Sequence, residues 1–554
     1  MRMRTWAALA AAAACLAGCT NAPPPPLVTT EVARTAPTRQ PNPGEAVVGV
    51  DSLRGGYNPH KLSDQSTITT ALASVLLPSV FRPAADGTPT LDRTLMVSAE
   101  VTKAEPYTVT YRLRPEASWS DSAPIAAEDF VYLWEQLREE PGVVDGAGYA
   151  LIENISAREA GRVVEVTFAK PYPGWRSLFT GLLPAHLLKD IPGGWANVLR
   201  DGFPVSGGPF AMKGLDRDRG EVVLERNDRY WEEPVPLDRI ILRRGDVNGI
   251  AGALRAGHNQ IALTTLDAEG SAAFASLRPA ATTQTVPRPT VATVLLRPVT
   301  SAMSDQRVRA AVAALVDRAA VVRAGTDGGQ AGTLPANAQV LAPSAPGYTA
   351  TAPAGPDPAL AESLFTEAGY TRVNGSWALG DAPLNLVIGA PEEQPEYVAM
   401  AREVQRQLSA GGVRSRLVTP SGEGLFTDLL APRATAPATQ VDLAVVPQPA
   451  AGDPATVLAT RFGCARTEPA TPANPAGFCD PTVQQTIDAT LTGAMALPDA
   501  LTQLEPALWD LAVAIPLYQE ADTLVVRREM TGVTVGPPFV GPFATAPLWR
   551  RTIQ

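Results

Sequence analysis

Residues 107–141, YTVTYRLRPEASWSDSAPIAAEDFVYLWEQLREEP, constrain the fold of this chain more than any other stretch. Val109, Tyr111 and Leu113 alternate with polar residues, so Thr108–Arg114 reads as a strand with one buried face. Trp119-Ser120-Asp121-Ser122-Ala123-Pro124 follows as a polar turn around an aromatic anchor. Phe130, Trp134 and Leu137 then recur at i, i+4 and i+7, which predicts a helix with one apolar side. Pro141-Gly142 ends it. Rings at such spacings build a core, and Trp119 and Trp134 are read as packing residues. The chain has 554 residues, 45% of them hydrophobic, enough for about three or four domain-sized units.

This strand–WSD–turn–helix order resembles the signature of the family 5 extracytoplasmic solute-binding proteins, which include the oligopeptide and dipeptide receptors of ABC importers. Ser122 stands where that family usually has Gly. SGGPFAMKGLDRDRGEVVLERNDRYWEEPVPLDRIILR, ending at Arg243, and DQRVRAAVAALVDRAAVV, from Asp305, resemble the same family. In the second, Ser304 is placed to cap a helix over Gln306–Arg323. The strand Leu384–Ile388, the helix Tyr397–Leu408 and the strand Val413–Val418 alternate as in an α/β lobe.

The resemblance implies an α/β fold of the periplasmic-binding-protein type II class. Two large lobes plus a smaller inserted domain would surround a hinged interlobe cleft. Domain I would comprise residues 46–68, 203–293 and 522–554, domain II residues 69–202, and domain III residues 294–521. A small ligand would be held between lobes without chemistry, with an ABC permease as partner, no cofactor, no metal, and a monomeric state.

Family members place particular loops at the ligand, which nominates Gln65, Ser66, Thr67, Gln448 and Asp453 as cleft residues. Peptide-binding members also carry an Asp that holds the peptide α-amino group, in the pattern aromatic, two residues, Asp. The aligned positions here are Pro447 and Ala450, so that acid is missing. A buried ammonium without a counter-charge costs several kcal/mol, roughly, which weighs against a peptide. Asp453, three residues on, either takes over that role or caps the following turn.

A finer likeness is to an actinobacterial lipoprotein branch of the family, linked to control of phosphatidylinositol mannoside and lipoarabinomannan synthesis. GYNPH, VLLPSVFRP, PYPGWRSLF and LLPAHLLKD carry it. It implies a glycolipid intermediate as ligand, or a regulatory role at the cell envelope in place of transport.

The N-terminus is a targeting signal. Arg2 and Arg4 precede the apolar run Trp6–Leu16, which is shorter than the roughly 20 residues needed to span a bilayer. Leu16-Ala17-Gly18-Cys19 resembles a bacterial lipobox, so residues 1–18 read as a lipoprotein signal peptide and Cys19 as the acylated anchor. Residues 19–45, with Pro23-Pro24-Pro25-Pro26, read as an extended tether. The expected location is the outer face of the cytoplasmic membrane, anchored by lipid. Cys15 leaves with the signal. Cys464 and Cys479 are then the remaining pair in an exported domain, and export favours a disulfide between them. No His lies near either, which argues against a metal site.

Composition and motifs disfavour other functions. With 56 acidic and 46 basic residues the net charge is −10 and no dense basic run exists, so nucleic-acid binding has no electrostatic support. The histidines are His60, His186 and His258, and no HExxH occurs. No G-x-S-x-G elbow is present, and none of the lysines follows a Ser by three residues. The chain reads as a binding protein, not an enzyme.

Overall fold

A computed structural model describes residues 44–54, 56–431, 439–467 and 470–552. The signal peptide, Cys19 and all but the last residues of the expected tether lie outside the described residues. Glu45 already opens a buried strand, Glu45–Val50.

The stretch that opened the sequence reading forms a compact unit. Thr108–Leu113 lies in a four-stranded antiparallel sheet between Met96–Lys103 and Val163–Phe168, with Ile152–Arg158 at the far edge. Val109, Tyr111 and Leu113 face inward and the helix Ala127–Glu139 buries Phe130, Leu133 and Leu137. Tyr111, Phe130 and Tyr149 surround Phe179 with ring centroids 4.7–5.6 Å away, and Trp175 meets Tyr111 at 6.1 Å. Ala126, at the start of the helix, has no side-chain oxygen to cap it. Asp129 caps instead, accepting from Ala126 N at 3.0 Å, from Ala185 N at 2.9 Å and from Trp119 Nε1 at 3.3 Å. Burial pushes its carboxyl up to about 6 against the pull of those three donors. Ser122 has φ +78°, a left-handed conformation that suits Gly, which accounts for the residue the family prefers there.

A ten-stranded sheet runs the length of the body. Its order is Arg414–Val418, Asn385–Gly389, Leu443–Pro449, Ala281–Leu296, Ala514–Arg527, Ile261–Thr264, Glu45–Val50, Arg239–Arg244, Glu221–Arg226, Phe210–Asp216. Ala281–Leu296 and Ala514–Arg527 are the long members and pair antiparallel along most of their length. Their first and last parts belong to different halves of the molecule. Ala281–Pro287 pairs with Ala521–Arg527, next to the strands of the N-terminal half. Val291–Leu295 pairs with Ala514–Gln519, and the same segment also pairs with Leu443–Pro449. The register shifts between Pro287 and Val291. Pro287 and Pro289 have no N–H to give a ladder, so pairing lapses there and the sheet can bend.

Two expectations from the sequence change. Gln306–Arg323 is two helices, Gln306–Ala314 and Arg318–Thr326. Asp305, not Ser304, caps the first, accepting from Arg307 N, and Asp317 caps the second, accepting from Ala320 N. The Ser304 hydroxyl turns back to the Ser301 carbonyl at 2.9 Å. A carboxylate in mid-stretch offers a second helix start, and periodicity alone conceals it. Cys464 and Cys479 are joined by a disulfide. Among the described residues no helix is long and apolar enough to cross a membrane.

Trp119 is fully buried and donates to the carboxylate that caps the helix. Trp119→Ala is expected to lower unfolding free energy by about 3–5 kcal/mol, through the cavity and the lost donor. Urea unfolding of the two proteins followed by circular dichroism checks this; a loss under about 1 kcal/mol would contradict the packing role.

Candidate functional site

The bend in the long strands positions a buried cluster of charges. Glu520 and Asp522 are two residues apart, so they project from the same face of Ala514–Arg527. Arg288, held between two prolines, brings Nη1 to 3.7 Å from Glu520 Oε1. Tyr397 Oη donates to Glu520 Oε1 at 3.0 Å, and Thr290 Oγ1 donates to Oε2 of the same carboxylate. Thr67, the first residue of the helix Thr67–Leu76, donates from Oγ1 to Asp522 Oδ1 at 2.7 Å. The carboxylate thus sits at a helix N-terminus, where the aligned peptide dipoles favour an anion. Burial pushes Asp522 up to about 6, offset by Arg288 and by the Thr67 bond. Burial pulls Arg288 down, but Glu520 and Asp522 more than offset it and its net shift is upward. A cavity of about 20 Å³ opens beside Thr67, Arg288, Asp522 and Phe543, room for about one water.

Further along the seam, groups from the two halves meet directly. Lys61 Nζ lies 2.5 Å from Glu423 Oε2, and Ser63 Oγ donates to the same oxygen at 3.2 Å. Lys61 is buried and also donates to the Ala196 carbonyl. Tyr172 Oη and Thr456 Oγ1 are 2.6 Å apart, and Ala147 N donates weakly to Thr460 Oγ1 at 3.4 Å. Asp453 caps the helix Pro454–Phe462, accepting from Thr456 N and from Thr456 Oγ1, each at 2.9 Å. A Cβ at Gly174 would come within 2.8 Å of Asp453 Oδ2, so glycine lets this close approach occur. Asp145 faces Asp453 across the seam. Burial first, then the Asp453 charge, pushes its carboxyl up to about 7.

The remaining residues nominated from the sequence lie close by. Gln65 Nε2 donates to the carbonyls of Pro59 and Lys61, both at 2.9 Å. Ser66 caps the helix by accepting from Thr69 N at 3.1 Å. Gln448 is buried opposite Val291, with Nε2 on the Pro447 carbonyl at 3.1 Å. Ala450 packs against the apolar group of Val291, Ala336 and Ala342. Thr67 and Asp453 therefore stand at the seam, while Gln65 and Ser66 brace the loop that enters it. Sequence reasoning missed Arg288, Glu520, Asp522, Lys61, Glu423 and Asp145. For the first three a signal was present: charged residues inside otherwise apolar strands, in Pro-Arg-Pro and Glu-Ala-Asp. The others are surface-like residues in sequence, and only the approach of distant segments gives them partners.

A cavity of about 450 Å³ lies where the Cys464–Cys479 loop meets the helix Ala127–Glu139 and its neighbours. Among the described residues no three His, Cys, Asp or Glu side chains gather as a metal-ligand set. The arrangement has opposed halves, a strand hinge, bridging polar contacts and a cavity at the seam. It is suited to enclosing a molecule.

Residues 95–467 match the model of the bacterial extracellular solute-binding proteins, family 5. The chain belongs to this family. It is 36% identical, over 99% of its length and 98% of the relative's, to a Mycobacterium tuberculosis protein described as probable monoacyl phosphatidylinositol tetramannoside-binding protein LpqW. It is 28% identical to the oligopeptide-binding protein OppA of the same organism, over 72% of this chain and 68% of that one. Among solved structures it superposes on the periplasmic EDTA-binding protein EppA with a TM-score of 0.71, at 26% identity, covering 92% of this chain and 97% of that one. The fold is therefore the type II periplasmic-binding-protein fold, as the sequence implies. The family 5 relatives are binding proteins of extracytoplasmic location.

The Asp145–Asp453 contact predicts a pH effect. An unperturbed Asp titrates at 3.8, and the folded value for Asp145 is about 7. Across that window the folded chain keeps a proton that the unfolded chain has released. This group's contribution is therefore full below about pH 4, declines as pH rises to about 7, and is constant above. Asp145→Asn is expected to remove this decline and to unfold at higher temperature than wild type at pH 8. Thermal unfolding from pH 4 to 8.5 checks it; parallel profiles for the two proteins would refute the assignment.

Proposed function

We propose that this family 5 protein binds an acylated, mannosylated phosphatidylinositol between its lobes and releases it unchanged. The single observation that carries the reading is the 36% identity extending over 99% of the chain to a protein named for that ligand class. Two features support it over a peptide ligand. The acid expected at position 450 for an α-amino group is replaced by Ala450, which packs in an apolar group. The carboxylates at the seam already have partners: Glu520 with Arg288, Tyr397 and Thr290, and Asp522 with Thr67.

The bodies that close on the ligand are the three sequence blocks named above, with the Pro287–Val291 irregularity as hinge. Domain I is 46–68, 203–293 and 522–554, domain II is 69–202 and domain III is 294–521. Lys61–Glu423 holds the closed form. The protein acts as a monomer, anchored by lipid on Cys19 at the outer face of the cytoplasmic membrane, and passes its ligand to a membrane partner of the ABC-permease class.

Native mass spectrometry of the chain purified from an actinobacterial host, with lipid extraction, tests the ligand. Recovery of a mannosylated phosphoinositide at about one per chain is the expected result. A bound peptide, an empty protein, or conversion of the glycolipid to a product would overturn the reading. The anchor is tested separately. Cys19→Ala is expected to move the protein from the membrane fraction to the medium and to abolish incorporation of labelled palmitate; a variant that stays lipidated would refute it.

A further inference from the structure

The cavity of about 450 Å³ at the disulfide loop has a construction that the hinge cluster does not explain. We propose that it is the subsite for the sugar portion of the ligand, a neutral polyol of one or two rings, with the acyl chains left outside it. This rests on the glycolipid reading above and adds to it a location and a chemistry.

Both halves of the molecule supply the walls. Arg138, Glu140, Ala147 and Lys170 come from one side, and Thr460, Arg466, Gln484 and Asp488 from the other. Arg466 crosses the seam, its Nη1 donating to the Ala150 carbonyl at 2.7 Å. An occupant therefore touches both halves and favours their closed arrangement by differential contact. The volume lies within the range of about 300–1,000 Å³ usual for small-molecule sites. A whole acylated tetramannoside exceeds it, so only part of such a ligand enters.

Charge decides the class of occupant. Among the described residues, three cations, Arg138, Lys170 and Arg466, line the cavity with two carboxylates, Glu140 and Asp488, and Arg138 already donates to Glu139. The balance is close to neutral, so neither an amine nor a polyanion gains strongly by entering. Hydroxyls both donate and accept, and a wall carrying both kinds of partner matches them. Arg138 is fixed by stacking over Trp134 at 4.7 Å, which holds its guanidinium at the cavity wall.

The far wall is braced before any ligand arrives. Gln484 accepts from Cys464 N at 2.7 Å and donates to Asp488 Oδ1 at 2.9 Å, which fixes that carboxylate. Asn474 Nδ2 donates to the Gly463 and Phe478 carbonyls at 2.9 and 2.8 Å. With the Cys464–Cys479 bond these contacts hold the loop, so little ordering cost remains for binding.

Isothermal titration of the full-length lipoprotein in detergent tests the proposal with two probes. One is the deacylated phosphatidylinositol tetramannoside headgroup, and the other is the intact acylated glycolipid. Wild type is expected to bind both. Asp488→Ala removes a hydroxyl acceptor, and Ala465→Trp fills the cavity while leaving every polar group in place. Each is expected to weaken headgroup binding by about tenfold or more, with unfolding temperature within a few degrees of wild type. Headgroup binding undiminished in both variants would overturn the cavity assignment and leave the glycolipid reading standing, as would a wild type that binds the intact lipid but not the headgroup. Failure of wild type to bind either probe would overturn both.

Discussion

The angle between the two halves depends on one stretch of antiparallel pairing that is interrupted in its middle. Ala281–Leu296 and Ala514–Arg527 belong to both halves, and a strand pair of that length would be stiff if its ladder were unbroken. Pro287 and Pro289 remove two donors, and the register shift gives the sheet a place to bend. At that place the protein buries Arg288, Glu520 and Asp522. Such ions are costly to bury unless matched, and here each carboxylate has at least one hydroxyl donor in addition to the guanidinium. Those donors come from elements of both halves: Thr67 from the first helix, Tyr397 from the helix Pro395–Ala410. A change in the angle at the bend therefore alters how well these charges are satisfied, which couples hinge position to electrostatics.

The seam farther out has a different character. Lys61–Glu423 is a near-buried cation meeting a partly exposed carboxylate, and Tyr172–Thr456 is a neutral contact. Asp145–Asp453 is repulsive when both groups are ionised, which is why burial and that neighbour together raise Asp145. Attraction near the loop of Lys61 is thus set against a carboxyl pair that tolerates closeness only by keeping a proton. A molecule that must open and close has reason to avoid a uniformly adhesive seam, since full complementarity would leave the closed form with no competitor.

The sequence made the local units legible and left most of the seam hidden, for a physical reason in each case. The unit at 107–141 could be read because its periodicity and its buried aromatic anchor both arise from nearest neighbours in the chain. The caps were half legible: Asp453 as a cap was one of two readings considered, and Asp305 and Asp317 were passed over because a run of apolar spacing masked a break. The long strands were not legible as continuous elements, since the charges at 288, 520 and 522 interrupt the apolar runs that signal a strand. Those same charges mark the hinge. Lys61 and Glu423 are separated by 362 positions, and nothing in either local context distinguishes them from solvated surface residues.

The alanine at position 450 bears on what the region of the bend can hold. Ala450 does not leave an orphaned partner behind; its backbone N donates to the Pro289 carbonyl and its methyl joins Val291, Ala336 and Ala342. An acid at that point would have to be desolvated beside the apolar group, with Arg288 already engaged by Glu520. The apolar residue at 450 and the matched charges around Arg288 are therefore consistent parts of one arrangement. Recognition then has to come from somewhere other than an ammonium pocket at the hinge. The seam offers one region lined by side chains of both charges, near the disulfide loop, where Arg138, Lys170 and Arg466 meet Glu140 and Asp488. In this chain the charges at the bend are matched to one another, and the mixed-charge cavity lies away from them.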